Sequence, residues 1–154
     1  GTDALKDAAG SVMYTGSYWL SAAPIAAAIA CVRKMRRIDA AAICMEKGRK
    51  LTSGLAEAGR RHGFDLRISG EPSMWFMRVA DDDSYLIHQA WVAECVRRGV
   101  FFTNHHNHFI NTAITDADLA FTLEVADEAF AAVAADGALR EASAAAPAAA
   151  GKAR

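Results

Sequence analysis

"FDLRISGEPSMWFMRV", residues 64–79, is where the chain changes its period. Phe64, Leu66 and Ile68 alternate with Asp65, Arg67 and Ser69, a repeat of two that predicts a strand with one face buried. Gly70, Glu71 and Pro72 then interrupt the alternation with turn chemistry, and "SMWFMRV" (73–79) reads as a second, more apolar strand. A connection this short can join only antiparallel neighbours, because parallel strands need a crossover of a dozen residues or more. The stretch therefore predicts a hairpin.

Working outward, the flanks are helical. Ile43, Lys47, Leu51 and Leu55 lie along one side of a predicted helix from about Asp39 to Arg61, with Gly63 at the left-handed position that ends it. Gly48, Gly54 and Gly59 weaken its middle. Upstream, Ser21 as N-cap, Pro24 in the first turn and the spacing Ile25, Ile29, Val32, Arg36 predict a helix over 22–37. Residues 1–20 have no convincing period. After the hairpin, "DDDS" (81–84) reads as a solvated capping segment for a helix from about Tyr85 to Arg98, which Gly99 stops. "VFFT" (100–103) predicts a third strand and "HFINTA" (108–113) a short fourth. Thr115 with Asp118 forms a capping-box pattern, and Leu119, Leu123, Ala126 and Phe130 share one face of the last helix. From Asp136 onward large apolar residues disappear, and 136–154 reads as a disordered, alanine-rich tail. The order predicts an α+β unit, a small antiparallel sheet covered on one face by helices.

Composition narrows the function classes. The chain has 154 residues, 53% of them hydrophobic, but alanine inflates that share and contributes helix propensity more than core volume. A formal charge of −1 gives nucleic acid or an anionic membrane no electrostatic reason to bind. The greasiest run, "AAPIAAAIACV" (22–32), is too short to span a bilayer, and no signal-peptide pattern is present. Cys31, Cys44 and Cys95 are unpatterned and read as reduced, partly buried thiols of a cytoplasmic protein.

Two stretches carry chemistry. "TGSYW" (15–19) places a glycine turn shortly before a helix N-terminus, where free N–H groups and a hydroxyl suit an anion. The alternative is a plain turn whose aromatics pack inward. "TNHHNHFINTAIT" (103–115) crowds His105, His106 and His108. Adjacent His105 and His106 would point apart in an extended chain, while His106 and His108 would share a side. With no cysteine or carboxylate in the loop to complete a tetrahedral set, no metal is expected there, and a solvated loop is the alternative. The "DDD" run (81–83) and the serines and cysteines offer neither a metal site nor a nucleophile setting.

Taken together, "YTGSYWLSAAPIAAAIACVRKM" (14–35), "GEPSMWFMRV" (70–79) and "RRGVFFTNHHNHFINTAITDADLAFTLEVADEAF" (97–130) resemble the class III pyridoxal-phosphate aminotransferases. The resemblance is strongest to the branch around glutamate-1-semialdehyde aminomutase. It implies a fold type I enzyme, a homodimer with its site at the subunit boundary, using pyridoxal 5'-phosphate (PLP). Residues 1–20 would then be the end of the large cofactor-binding domain, and 21–135 the C-terminal small domain with its connecting helix. By the same resemblance Ser17, flanked by Gly16 and Tyr18, contacts the cofactor phosphate of the neighbouring subunit. His105, His106 and Asn107 become substrate-side contacts. The lysine that forms the Schiff base is expected upstream of Gly1, as is the aspartate that pairs with the pyridine nitrogen. None of Lys6, Lys34, Lys47, Lys50 or Lys152 stands in a matching context, so this chain supplies no catalytic residue of its own. Ornithine-type relatives carry a carboxylate-gripping arginine near the short strand, whereas residues 99–115 contain none. Arg67 and Arg78 are expected to face solvent or an interface. The expected activity is amino-group transfer between an amino acid or amine and the cofactor, or its intramolecular, isomerising variant. The rival expectation is a non-catalytic binding or assembly module derived from the same fold.

Overall fold

A computed structural model describes residues 2–13, 16–17 and 21–146. It divides the chain into two compact units, Gly1–Ile38 and Asp39–Arg154. The boundary falls after the helix 22–37, which sequence reading groups with the C-terminal domain.

In the first unit a single 3-10 turn (Asp3–Leu5) leads into α1 (Lys6–Gly10), and α2 spans Ala22–Arg37. The helical spacing of Ile25, Ile29 and Val32 is real, yet α2 buries none of them within its unit. Ser21 occupies the N-cap position without making a side-chain cap bond. Cys31 is exposed rather than partly buried; Cys44 is half-buried and Cys95 buried.

The second unit holds the core. It comprises α3 (Ala40–Arg61), β1 (Leu66–Glu71), β2 (Met74–Val79), α4 (Leu86–Arg97), β3 (His108–Phe109), α5 (Asp116–Ala135) and α6 (Gly137–Ala145). The three strands form an antiparallel sheet in the order β1-β2-β3. Register runs from Leu66 opposite Val79 to Glu71 opposite Met74, and Trp75 faces His108 across the second pair. Alternation along β2 sends Trp75, Met77 and Val79 inward, into one cluster with buried residues of α3, α4 and α5. At the centre the Trp91 and Phe130 rings stack with centroids 4.6 Å apart, and the Trp91 indole N–H donates to the Ala126 carbonyl at 3.2 Å. Each such side chain adds about 1.5–3 kcal/mol by leaving water.

The glycines that weaken α3 by propensity are explained by packing. A Cβ at Gly48 would stand 1.9 Å from the Pro72 carbonyl oxygen, and one at Gly54 would stand 2.6 Å from Leu123. The hairpin turn and α5 approach α3 where it lacks side chains, so tertiary contact overrides propensity.

Two expectations fail. Residues 100–103 make no strand. Val100 and Phe102 are buried and Phe101 is 78% exposed, but the edge of β2 is already taken by His108–Phe109. "HFINTA" forms a strand over only those two residues, with Ile110 N–H donating to the Ser73 carbonyl at 3.0 Å just beyond it. The supposed tail is the second failure over its first part, because 137–145 forms α6 and packs on α4, while 147–154 lie outside the described residues. Asp136 caps it by accepting from the Leu139 N–H at 3.0 Å, and Arg140 lies 5.2 Å from the Phe64 ring centroid. Alanine's high helix propensity, anchored by these few contacts, is enough to order it.

Candidate functional site

The histidine loop is fastened at both ends before it presents anything. At its C-terminal end the Lys47 ammonium donates to the carbonyls of Thr112 (3.1 Å) and Ile114. Asn111 Oδ1 accepts from Ala113 N–H at 2.8 Å. Thr115 and Asp118 close the expected capping box, in which Asp118 Oδ2 accepts from the Thr115 N–H at 2.7 Å. Those Thr115 hydrogen bonds hold the Asp118 carboxyl below its usual range.

At the other end His108 is the anchor. Its ring stacks on Trp75 at 4.4 Å, lies edge-on to Phe102, and accepts at Nε2 from the Thr103 N–H at 3.2 Å. Burial pushes its pKa below that of an ordinary histidine, with the Trp75 backbone acting in the opposite direction. An accepting Nε2 puts the proton of a neutral ring on Nδ1. The chain bends at 104–106, so His106 and His108 do not share a side as alternation predicts: His108 turns inward and His106 stays in solvent.

His105, His106 and Asn107 are all exposed, and they diverge. The His105 ring packs at 5.1 Å on Tyr85, while His106 lies 6.4 Å from Phe109. Asn107 stands with His108 at the edge of an open cleft of about 580 Å³, walled by Leu51, Phe102, Ile114 and Phe121. Among the described residues no group of three or more histidine, cysteine or acidic side chains is placed to hold a metal.

The loop rests on residues that sequence reading passes over. Asp82, expected in a solvated acidic run, is 1% exposed. Its Oδ2 accepts from the His88 N–H at 2.8 Å, and its Oδ1 accepts from the hydroxyls of Ser84 (2.9 Å) and Ser143 (3.1 Å). It is thus the acceptor that fastens α4's start to α6. Tyr85, immediately before α4, has φ 64°. Arg67 is exposed and pairs with Asp65, as expected of a solvent-facing strand residue. Arg78 is not so free: its guanidinium sits 4.6 Å over the Tyr85 ring, donates to the Asp82 carbonyl and pairs with Asp83 at 3.5 Å. Beneath lies His88, fully buried, whose two ring nitrogens have no hydrogen-bond partner among the described residues. Burial pulls its pKa down to about 4, with Asp82 opposing and His105, His108 and Arg78 adding to the fall.

In the first unit, Gly16 and Ser17 are exposed, whereas Tyr18 lies outside the described residues. The following helix, α2, has no side-chain cap and no acidic residue in its first turn. Its leading N–H groups, apart from that missing at Pro24, are compatible with a phosphate. Among the lysines, Lys47 is committed to the loop, and Lys50, paired with Glu46 and Asp116, is held above its ordinary pKa by those acids.

No protein-family model matches the chain. Among solved structures it is similar to the PLP internal aldimine form of the Sphingopyxis sp. MTA144 FumI protein, with a TM-score of 0.78 and 38% identity over 86% of this chain and 32% of that one. The chain thus has the fold of part of a PLP enzyme, and PLP is the cofactor of that class. In sequence it is 38% identical over 133 residues to the aminopentol aminotransferase of Sphingopyxis macrogoltabida, covering 86% of this chain and 32% of the relative. The 3-aminobutyryl-CoA aminotransferase of Cloacimonas acidaminovorans (strain Evry) is 25% identical over 128 residues, 81% of this chain and 31% of its own. The chain spans about a third of the length of the curated relatives it matches, both of them aminotransferases by name. Among the described residues no helix is long and apolar enough to cross a membrane.

Proposed function

We propose that these residues serve a class III aminotransferase by holding the phosphate of PLP, walling the substrate pocket and forming part of a homodimer interface. The substrate would be an amino acid or amine, and the reaction transfer of its amino group, or the aminomutase variant in which the group moves within one molecule. The observation that carries this is the 38% identity, with a matching fold, to a chain in its PLP-bound form. Residues 1–20 would close the large domain and 21–135 build the small one. A cytoplasmic enzyme fits the three unpaired thiols.

Bound PLP supplies the electron sink of the reaction. The residues of this chain bind and orient. The Ser17 hydroxyl, with the Gly16–Ser17 backbone and Tyr18, would hold the phosphate of the neighbouring subunit's cofactor, using the uncapped start of α2 as a local positive end. Neither the His105 ring nor the Asn107 side-chain amide makes a hydrogen bond to the described residues, so both retain donors for a substrate carboxylate or hydroxyl. His106 turns its Nδ1 to the Asn107 carbonyl at 3.2 Å and leaves Nε2 to solvent. Without an arginine between 99 and 115, carboxylate binding by this loop would be weaker and more pH-sensitive than a guanidinium grip.

The test is the intact mass of the denatured native protein, followed by titration with PLP. The expected mass is about three times that of this chain, since the aminopentol relative is covered over 32% of its length. Binding should be saturable, competed by inorganic phosphate and weakened at least tenfold by Ser17→Asp, which sets a carboxylate against the anion. A protein with the mass of 154 residues alone and no saturable PLP binding would overturn the reading in favour of a non-catalytic module.

A further inference from the structure

We propose that Tyr85 is a positioning residue, whose ring holds His105 in place on the histidine loop and whose left-handed backbone is fixed by the Asp82 network. The proposal rests on the reading of His105 as a substrate-side group, and gives that group its support.

The first observation is the backbone. Tyr85 has φ 64° and ψ 4°, a conformation that suits glycine or asparagine and that a bulky residue adopts only when its surroundings over-determine it. If residue 85 had only to turn the chain into α4, a glycine would do so without strain. The aromatic ring is what the strained position gains.

The second is what holds the strained turn. Tyr85 donates its N–H to the Asp82 carbonyl at 3.1 Å and accepts at its own carbonyl from Gln89 at 2.9 Å. Leu86 N–H is taken by the Ser84 hydroxyl, and His88 N–H by the buried Asp82 carboxylate. Ser143 of α6 completes the set by donating to the same carboxylate. The N–H groups of Tyr85, Leu86 and His88 are thus each committed to a partner within this network, which is centred on the buried Asp82 carboxylate.

The third is what the ring touches. The Arg78 guanidinium lies 4.6 Å from its centroid, held there by Asp83 and the Asp82 carbonyl. His88 meets it edge-on at 5.8 Å, and His105 packs on it at 5.1 Å with the planes tilted by 43°. Tyr85 is also the one ring among the described residues that His105 contacts, and His105 makes no hydrogen bond to them. An exposed imidazole with no other partner would sample its rotamers freely; on Tyr85 it has an aromatic seat at a separation where ring pairs attract.

The experiment is proton NMR of the histidine rings in the full chain, with His105 assigned through His105→Gln. Wild-type His105 should be displaced by the Tyr85 ring current, and Tyr85→Phe, which keeps the ring, should preserve the displacement. Tyr85→Gly and Tyr85→Leu should abolish it and bring His105 to the position of His106. Tyr85→Gly also relieves the backbone, so its loss of signal is not a failure to fold, and His62, paired with Asp127 at 3.0 Å away from the loop, reports the intact core. A displaced His105 resonance that survives in Tyr85→Gly, or an undisplaced one in the wild type, would overturn the proposal. Failure of PLP binding leaves this spectrum unchanged, so the two readings fail separately.

Discussion

α2 and α5 are both alanine-rich, of 16 and 20 residues, and both begin after a hydroxyl residue at the N-cap, yet the chain uses them in opposite ways. α5 closes a complete capping box, carries Asp116 and Asp118 in its first turn and buries Leu119, Val125, Ala126, Ala129, Phe130 and Val133. α2 has no cap bond, no acid at its start and no buried residue within its unit. A helix that must be stable inside its own unit satisfies its ends and its apolar face locally. One whose start is left open keeps those N–H groups for another acceptor, the role proposed here for phosphate.

The largest effect expected from this contrast is in the core. Phe130→Ala removes a fully buried ring that stacks on Trp91 and Phe64, and should cost about 3–5 kcal/mol by denaturant titration. Ile29→Ala on exposed α2 should change the stability of the same chain by less than about 0.5 kcal/mol. Equal losses at the two sites would break the comparison.

Next comes acid. His88 titrates near 4 when folded, because burial disfavours its charge, against an ordinary value near 6.5. As pH falls, the unfolded chain therefore binds this proton first. Stability attributable to neutral His88 is full above about pH 6.5, declines through the interval to about 4 and is then lost, a total of about 3 kcal/mol. Urea midpoints measured from pH 7 to 4 should fall for the wild type and flatten for His88→Leu. The change belongs to the second unit, since α2 contains no histidine.

How much of this could be read beforehand depends on whether the signal is local. The hairpin, the Gly63 stop and the Thr115 capping box are encoded within a few residues each, and all three stand in the structure. "VFFT" carries a strand's β-branched and aromatic composition, but composition cannot say whether a sheet edge is open, and β3 had taken it. "DDDS" looks the same whether solvated or buried; Ser143, 61 residues away, joins Ser84 and the His88 N–H in making Asp82 an interior acceptor. The same distance hid α6, whose few apolar contacts look like low complexity in isolation. In the candidate site, Ser17, His105 and Asn107 were legible as polar groups in small turns. Tyr85 and His108, which carry the loop, were not, because the partners that define them lie on β2 and α4.

The smallest effect addresses the comparison most directly. Thr115→Ala removes a hydroxyl that accepts from the Asp118 N–H at 3.1 Å, and should cost about 1 kcal/mol. Ser21→Ala removes a hydroxyl that caps nothing, and should cost close to zero. The sign of the contrast matters more than its size. A cap bond at Ser21 would satisfy one of the N–H groups that the phosphate reading requires, so a loss at Ser21 equal to that at Thr115 would mean that α2 is closed like α5. In that case a phosphate would have to displace the serine, and the open helix start would no longer distinguish the two units. If Ser21→Ala is silent in the free chain and also leaves PLP affinity unchanged, the N-terminal turn must bind through Ser17 and the backbone alone.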